Sequence, residues 1–499
     1  MDLILSGIPH ALQPINLIIV STGVFLGIIF GALPGIGPPL ALALLLPMMY
    51  SLDPVSALFL IAGIYNGSIY GGSITAILIN TPGTPASAAT ILDGYPMSQK
   101  GEAGKALGAS IGASFVGGIV STLIFISVAI PLADQVLKFG PSQLFLVILF
   151  ALASVSRLSE GSLPKALIAT CVGLLMGLIG FDMISGHARF TFGATFLEDG
   201  MDLLAVLIGW FAIAELMFLI QQKTGTISDV DHGKGGVVEG ALAVLKFPAT
   251  VIKSSFIGGL FGAIPGIGAA AANFIAYAEA KKGSKHPERF GKGYVEGVIA
   301  PEAANNAVTG TSLITTLVLG IPGNASAAVM LGALMILGLQ PGASLFTETP
   351  DIMGAFMVGL ILANVFMLVM VLLMTNLFKK VTTVKISILV PIILAMCYLG
   401  SFAARFSVYD VIVAIIVGVV TYGLRKANYP IICMVLGFML ARMLEENYHQ
   451  AMLVSNNGSL IFLQWPINTI IIICGLLLFL GGPLMKLIRQ FLMSQKEAN

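Results

Sequence analysis

The sequence predicts an all-α polytopic membrane protein with two related halves and interrupted helices, carrying roughly ten to fourteen membrane segments. Three observations predict it. Only 10% of the 499 residues are charged and 57% are hydrophobic, whereas an ordinary soluble domain carries roughly a quarter charged. No Asp, Glu, Lys or Arg occurs in residues 3–52, 54–92 or 303–347, and each run exceeds the roughly 20 residues that cross a bilayer core as a helix. A Gly-Pro motif also occurs twice: GIIFGALPGIG at residues 27–37 matches GGLFGAIPGIG at residues 258–268 in eight of eleven positions.

The apolar runs are continuous in Leu, Ile, Val, Ala and Met. They lack the strict alternation of an outer-membrane barrel strand, so they read as helices. Candidate spans lie near residues 15–31, 106–130, 142–157, 164–181, 201–220, 247–263, 352–378, 384–400, 407–424, 430–444 and 460–485. Between them, residues 32–92 and 264–347 are apolar but studded with Gly, Pro, Ser, Thr and Asn, and do not read as simple spans. A mean hydropathy of +0.97 over the whole chain excludes a soluble enzyme with one anchor. The N-terminal segment carries Asp2 and no basic residue, unlike a cleavable leader, so the first helix is expected in the mature protein.

The duplication sets the domain organisation. Residues 82–89, PGTPASAA, recur at 322–328 as PGNASAA; this second match is offset by 240 residues and the first by 231, so the later half carries a net insertion between them. Two matches in one order imply a duplicated half. The expected boundaries are a first half over 1–220, a polar and cytoplasmic linker over 221–246, a second half over 247–445, and an extra C-terminal transmembrane helix and tail over 446–499. Loop charge supports inversion of one half against the other. The basic loop at 281–292 corresponds to residues 50–53, which carry no positive charge, while the loop with Lys100 and Lys105 corresponds to 338–351, with Glu348 and Asp351. Cytoplasmic loops are enriched in Lys and Arg, so two reversals of bias point to inverted topology.

The motifs carry the expected chemistry. Proline lacks an amide donor and glycine permits left-handed backbone, so helices should break at Gly31, Pro34, Gly35 and Gly37, and again at Gly262, Pro265, Gly266 and Gly268. At membrane depth a break is tolerated inside protein or beside a water-filled cavity, where freed carbonyls can hold a cation and freed amides an anion. The glycines spaced by three residues also suit close helix packing. Each half then brings a helix rich in small hydroxyl residues to a Pro-Gly tip, forming a hairpin that enters and leaves on one side. The candidate substrate-binding residues are Asn66, Ser73, Thr75, Asn80, Thr81, Pro82, Gly83, Thr84 and Ser87 in the first half, and Asn305, Asn306, Thr311, Ser312, Pro322, Gly323, Asn324 and Ser326 in the second. Neither stretch holds a basic residue, so helix dipoles and a co-bound cation, Na⁺ or H⁺, would neutralise an anionic substrate. Glu302 is the candidate coupling carboxylate, since an acid inside a membrane protein is functional by default. Asp53, Glu279, Glu215 and Arg405 are weaker candidates.

Other function classes find little footing. The five histidines are scattered, no H-E-x-x-H or G-x-x-x-x-G-K-[ST] occurs, and the four cysteines lack metal-like spacing. A net charge of +1 gives nucleic acid nothing to bind. A passive anion channel using the same broken helices is the alternative to a carrier.

The doubled GALPGIG-type signature and the run YGGSITAILINTPGTPASAAT resemble, over nearly the whole chain, the large membrane (permease) subunit of the tripartite tricarboxylate transporter family. That resemblance implies a multi-pass protein of the bacterial cytoplasmic (inner) membrane. It implies partnership with a small membrane subunit of about four helices and a periplasmic solute-binding protein. The implied activity is cation-gradient-driven uptake of a tri- or dicarboxylate such as citrate, with no cofactor beyond Na⁺ or H⁺. An elevator-like motion of the hairpin-bearing part is the expected transport step.

Overall fold

A computed structural model describes residues 2–33, 35–158, 162–182, 186–221, 236–266, 268–381, 384, 386–403, 405–455 and 458–477. Helices dominate, and the β-structure among these residues is one two-stranded ribbon. Six helices are long and apolar enough to cross a membrane: Pro14–Gly31, Pro54–Ile79, Ala103–Val136, Leu203–Gln221, Pro350–Val381 and Val408–Lys426. Shorter apolar helices, such as Pro38–Met49 and Ala325–Ile336, accompany them. The chain is an all-α polytopic membrane protein.

Two compact units form. The larger comprises residues 1–136 and 202–424, the smaller residues 137–201 and 425–499. In the larger unit both copies of the Gly-Pro motif follow one series of elements. A glycine helix (Pro14–Gly31, then Pro248–Gly262) stops at a break, a shorter helix follows (Pro38–Met49, then Gly268–Gly283), and a polar helix comes next (Pro54–Ile79, then Val295–Leu313). Each polar helix ends at a Pro-Gly tip and a twelve-residue helix follows it, Ala88–Gln99 or Ala325–Ile336.

Glycine brings each glycine helix onto its polar helix. A Cβ at Gly27 would stand 2.6 Å from the Ile64 carbonyl oxygen, and one at Gly67 would stand 2.5 Å from that of Val24. These backbones touch, as small residues allow in bilayers, where packing rather than hydrophobic drive holds helices together. This same contact overturns one expectation for residues 32–92. That stretch does contain a helix long and apolar enough to span, Pro54–Ile79, which runs unbroken for 26 residues. Its glycines are covered by a neighbouring helix and so do not fray it. Asp53 caps its N-terminus, accepting from the Val55 and Ser56 amides at 3.1 Å.

The second polar helix is different. It is too polar to pass as a span, yet every residue from Glu296 to Leu313 is buried, and a π-helical turn, Ile314–Val318, continues it. A helix with this composition is shielded from lipid by protein.

The smaller unit packs the helices Pro141–Leu158, Leu163–Gly177 and Ile431–Val454. A ribbon pairs Gly180 with Arg189 and Phe181 with Ala188. Arg189 grips Glu445 with two hydrogen bonds of 2.7 and 2.8 Å, and that carboxylate holds the guanidinium above its ordinary pKa.

Candidate functional site

Each predicted interruption near the described tips exists. The first polar helix ends at Asn80, which takes left-handed backbone (φ 56°), and residues 81–84 are not helical before a short turn at Pro85–Ser87. The second ends before Gly320 (φ 68°), and its following helix starts at Ala325. The first glycine helix stops at Gly31; Pro34 lies outside the described residues, Gly35 has φ 80°, and Gly37 caps the next helix. The other glycine helix stops at Gly262, and Pro265 and Gly266 form a turn before Gly268.

Within each half, break and tip meet. Gly83 donates its amide to the Gly72 carbonyl at 3.2 Å, and a Cβ on it would lie 2.7 Å from the Gly31 oxygen. In the other half, the Gly266 amide reaches the Gly323 carbonyl at 3.2 Å. The tips themselves differ in setting. Asn80, Thr81 and Pro82 are exposed, whereas Pro322 and Gly323 are buried. Thr84 Oγ1 caps the short turn Pro85–Ser87, accepting from the Ser87 amide at 3.3 Å, and Asn324 Oδ1 caps Ala325–Ile336, accepting from the Ala327 amide at 2.9 Å. Ser326, beside that cap, is buried.

The elements around the two tips also meet each other in the larger unit. The Tyr65 hydroxyl lies 3.1 Å from Ser312 Oγ and accepts from Asn324 Nδ2 at 3.1 Å. Asn273 Nδ2 donates to the Ala86 carbonyl at 2.7 Å. Glu302, adjacent to Pro301, is fully buried rather than at a membrane edge. Its carboxylate accepts from Thr90 Oγ1, from Ser110 Oγ at 2.9 Å and from Ser114 Oγ at 3.0 Å.

On the second polar helix Glu302, Asn305, Thr309 and Ser312 follow the three-and-four spacing that places residues on one face. Asn305 is thus flanked by a carboxylate bound to first-half hydroxyls and a serine bound to Tyr65. Asn305 is buried, and among the described residues neither end of its amide has a hydrogen-bond partner. Asn66 Oδ1 on the first polar helix and Asn273 Oδ1 likewise lack a partner among the described residues. Buried polar atoms are ordinarily paired, because leaving one unpaired costs about 1–3 kcal/mol. Such atoms lie on both polar helices.

Some predicted residues are placed elsewhere or tied up locally. Asn306 turns its amide to the Met367 sulfur at 3.9 Å. Thr75 and Thr311 bond back to their own helices, at Gly72 and Ala307. Of the weaker candidates, Glu279 pairs with Lys253 at 2.6 Å and Arg405 with Asp410 at 2.5 Å. Sequence reasoning missed Tyr65, Thr90, Ser110, Ser114 and Asn273. The available signal was faint: Ser110 and Ser114 sit four apart in an apolar run, and Asn273 interrupts a run of alanines.

Fold and site together define a polytopic helical membrane protein with interrupted helices and buried polar groups on its two polar helices. Residues 17–436 match the family described as the tripartite tricarboxylate transporter TctA family, and the chain belongs to it. The chain is 37% identical over 482 residues to an uncharacterized 52.8 kDa protein in the TAR-I ttuC' 3' region of Agrobacterium vitis, covering 95% of each. It is 32% identical over 219 residues to an uncharacterized protein in the TAR-II ttuC' 3' region of the same organism, covering 44% of this chain and 90% of that relative. No solved structure matches the chain significantly.

Proposed function

We propose that this chain is the permease of a secondary active importer of carboxylates, tri- or dicarboxylates such as citrate, in the bacterial cytoplasmic membrane. A cation gradient drives it, a small membrane subunit accompanies it, and a periplasmic binding protein delivers the substrate. The observation that carries this reading is the pair of buried asparagines with unpaired amide atoms, Asn66 and Asn305, one on each polar helix. Family membership supports the substrate class. Amide and hydroxyl donors suit a carboxylate, and a co-transported cation cancels its charge, so no resident Lys or Arg is needed beside it. The halves are oppositely oriented in the membrane, and alternating access follows from an elevator-like movement of the elements bearing the tips.

Uptake of labelled citrate and related di- and tricarboxylates into proteoliposomes containing both membrane subunits, with binding protein outside, tests the reading. Accumulation above the external concentration that collapses when the cation gradient is dissipated supports it. Flux that only equilibrates, at channel-like rates, refutes it.

A further inference from the structure

Glu302 is a fully buried carboxylate held by hydroxyls from two other helices, with no Lys, Arg or His paired to it among the described residues. We propose that Glu302, with Thr90, Ser110 and Ser114, forms the site of the coupling ion, and that the ion is a proton. The proposal deepens the importer reading and rests on it.

The hydrogen-bond geometry around Glu302 favours a proton over a metal cation. In an alkali-cation site the hydroxyls turn their lone pairs to the ion, which stands between them and the carboxylate. Here Ser110 and Ser114 donate directly to one carboxylate oxygen at 2.9 and 3.0 Å, and Thr90 donates to the other. Proton uptake leaves these contacts in place, whereas a metal ion would require the hydroxyls to turn and draw apart. The Ser73 hydroxyl reaches the same carboxylate as a fourth hydroxyl around it. It supplies the acceptor that a protonated Glu302 O–H requires.

The chemistry is one reversible step: the carboxylate takes a proton on an oxygen lone pair and becomes a neutral acid, and releases it as the anion. In a dry, closed pocket an unpaired carboxylate is strongly disfavoured, and where water reaches it the anion is tolerated. Opening the pocket to one side or the other thereby exchanges the proton with that side. Asn305, one turn along the same face, couples this event to the substrate. Of the titratable groups on the packed elements, Tyr70 faces Glu302. The others are engaged elsewhere: Asp93 with Tyr277 and loop amides, Lys105 with Glu239, Lys253 with Glu279, and Glu296 with Thr250 and Ser284.

Two measurements test the assignment. Infrared difference spectra of the purified chain during a pH titration should show the carbonyl band of a buried protonated carboxyl, lost on alkalinisation and absent in Glu302→Gln. In proteoliposomes with both partner subunits, a pH gradient at equal Na⁺ should drive accumulation in the unmodified chain, and Glu302→Gln should fall to the equilibrium level. Should that variant fail to fold, the Ser110→Ala/Ser114→Ala pair replaces it, with the band expected to shift in frequency and in titration midpoint. A band that Na⁺ removes at constant pH, or accumulation driven by Na⁺ but not by a pH gradient, overturns the proton assignment. Full pH-driven accumulation by Glu302→Gln overturns the site. A chain that moves no carboxylate under any gradient refutes the importer reading instead, and the infrared titration still judges the proton site.

Discussion

Replacing Gly27 by alanine probes the seam that sets the spacing of break and tip. The added methyl would stand 2.6 Å from the Ile64 oxygen and 3.0 Å from both the Ile64 Cα and the Ser68 nitrogen. All three atoms are backbone, so no side chain can rotate away. The two helices must separate by about half an ångström or bend, and overpacking of this kind costs about 1–3 kcal/mol. The natural control is Gly423, on the helix Val408–Lys426, whose added Cβ would meet nothing within 4 Å. There the gain in helix propensity predicts neutrality or a stabilisation of about 0.5–1 kcal/mol. Thermal unfolding of both variants in one detergent, followed by intrinsic fluorescence and by size-exclusion recovery, gives the comparison. Gly27→Ala should melt clearly below the parent and Gly423→Ala at or above it. Equal melting of Gly27→Ala and the parent would refute the backbone-contact account of the seam.

Three further outcomes follow from named contacts. Asp93 accepts from the amides of Gly291, Gly293 and Tyr294 and from the Tyr277 hydroxyl. Asp93→Asn puts a donor among donors, so it should cost about 1–3 kcal/mol and speed tryptic cleavage within residues 281–292; an unchanged cleavage rate would contradict the clamp. A double-mutant cycle of Arg189→Ala with Glu445→Ala should return a coupling of about 1 kcal/mol or more, given the bidentate geometry and partial burial, and a value near zero would count against it. Asn324→Ala removes the cap on Ala325–Ile336 and the bond to Tyr65; it should lower the melting temperature more than Thr81→Ala at the exposed tip, and the reverse order would be unexpected.

The sequence carried the interruptions well and the convergence poorly, for a physical reason. Pro-Gly and left-handed positions are local, so the ends at Asn80, Gly266 and Gly320 follow from residue type alone. Glu302 stands out locally as an acid beside Pro301 at the start of a long uncharged run, but its surroundings do not. Its burial depends on Thr90, Ser110 and Ser114, about 190 to 210 positions earlier in the chain, and no local pattern encodes that. Tyr65 escaped notice because one phenol in an apolar helix resembles packing, and only the fold brings Ser312 and Asn324 to its hydroxyl. The helix to the first tip was legible, but its length as a possible span was not, because Gly, Ser, Thr and Asn dilute its apolar signal while a neighbouring helix covers them.

The account stands or falls on the buried asparagines of the two polar helices. With the four native cysteines replaced, Asn305→Cys should react with a small water-soluble thiol reagent, and carboxylate substrate should slow that reaction in the assembled transporter. Ala307→Cys, on another face of the same helix, should stay inert. An Asn305→Cys thiol that is unreactive, or reactive at a rate that no carboxylate alters, would contradict a substrate path at Asn305.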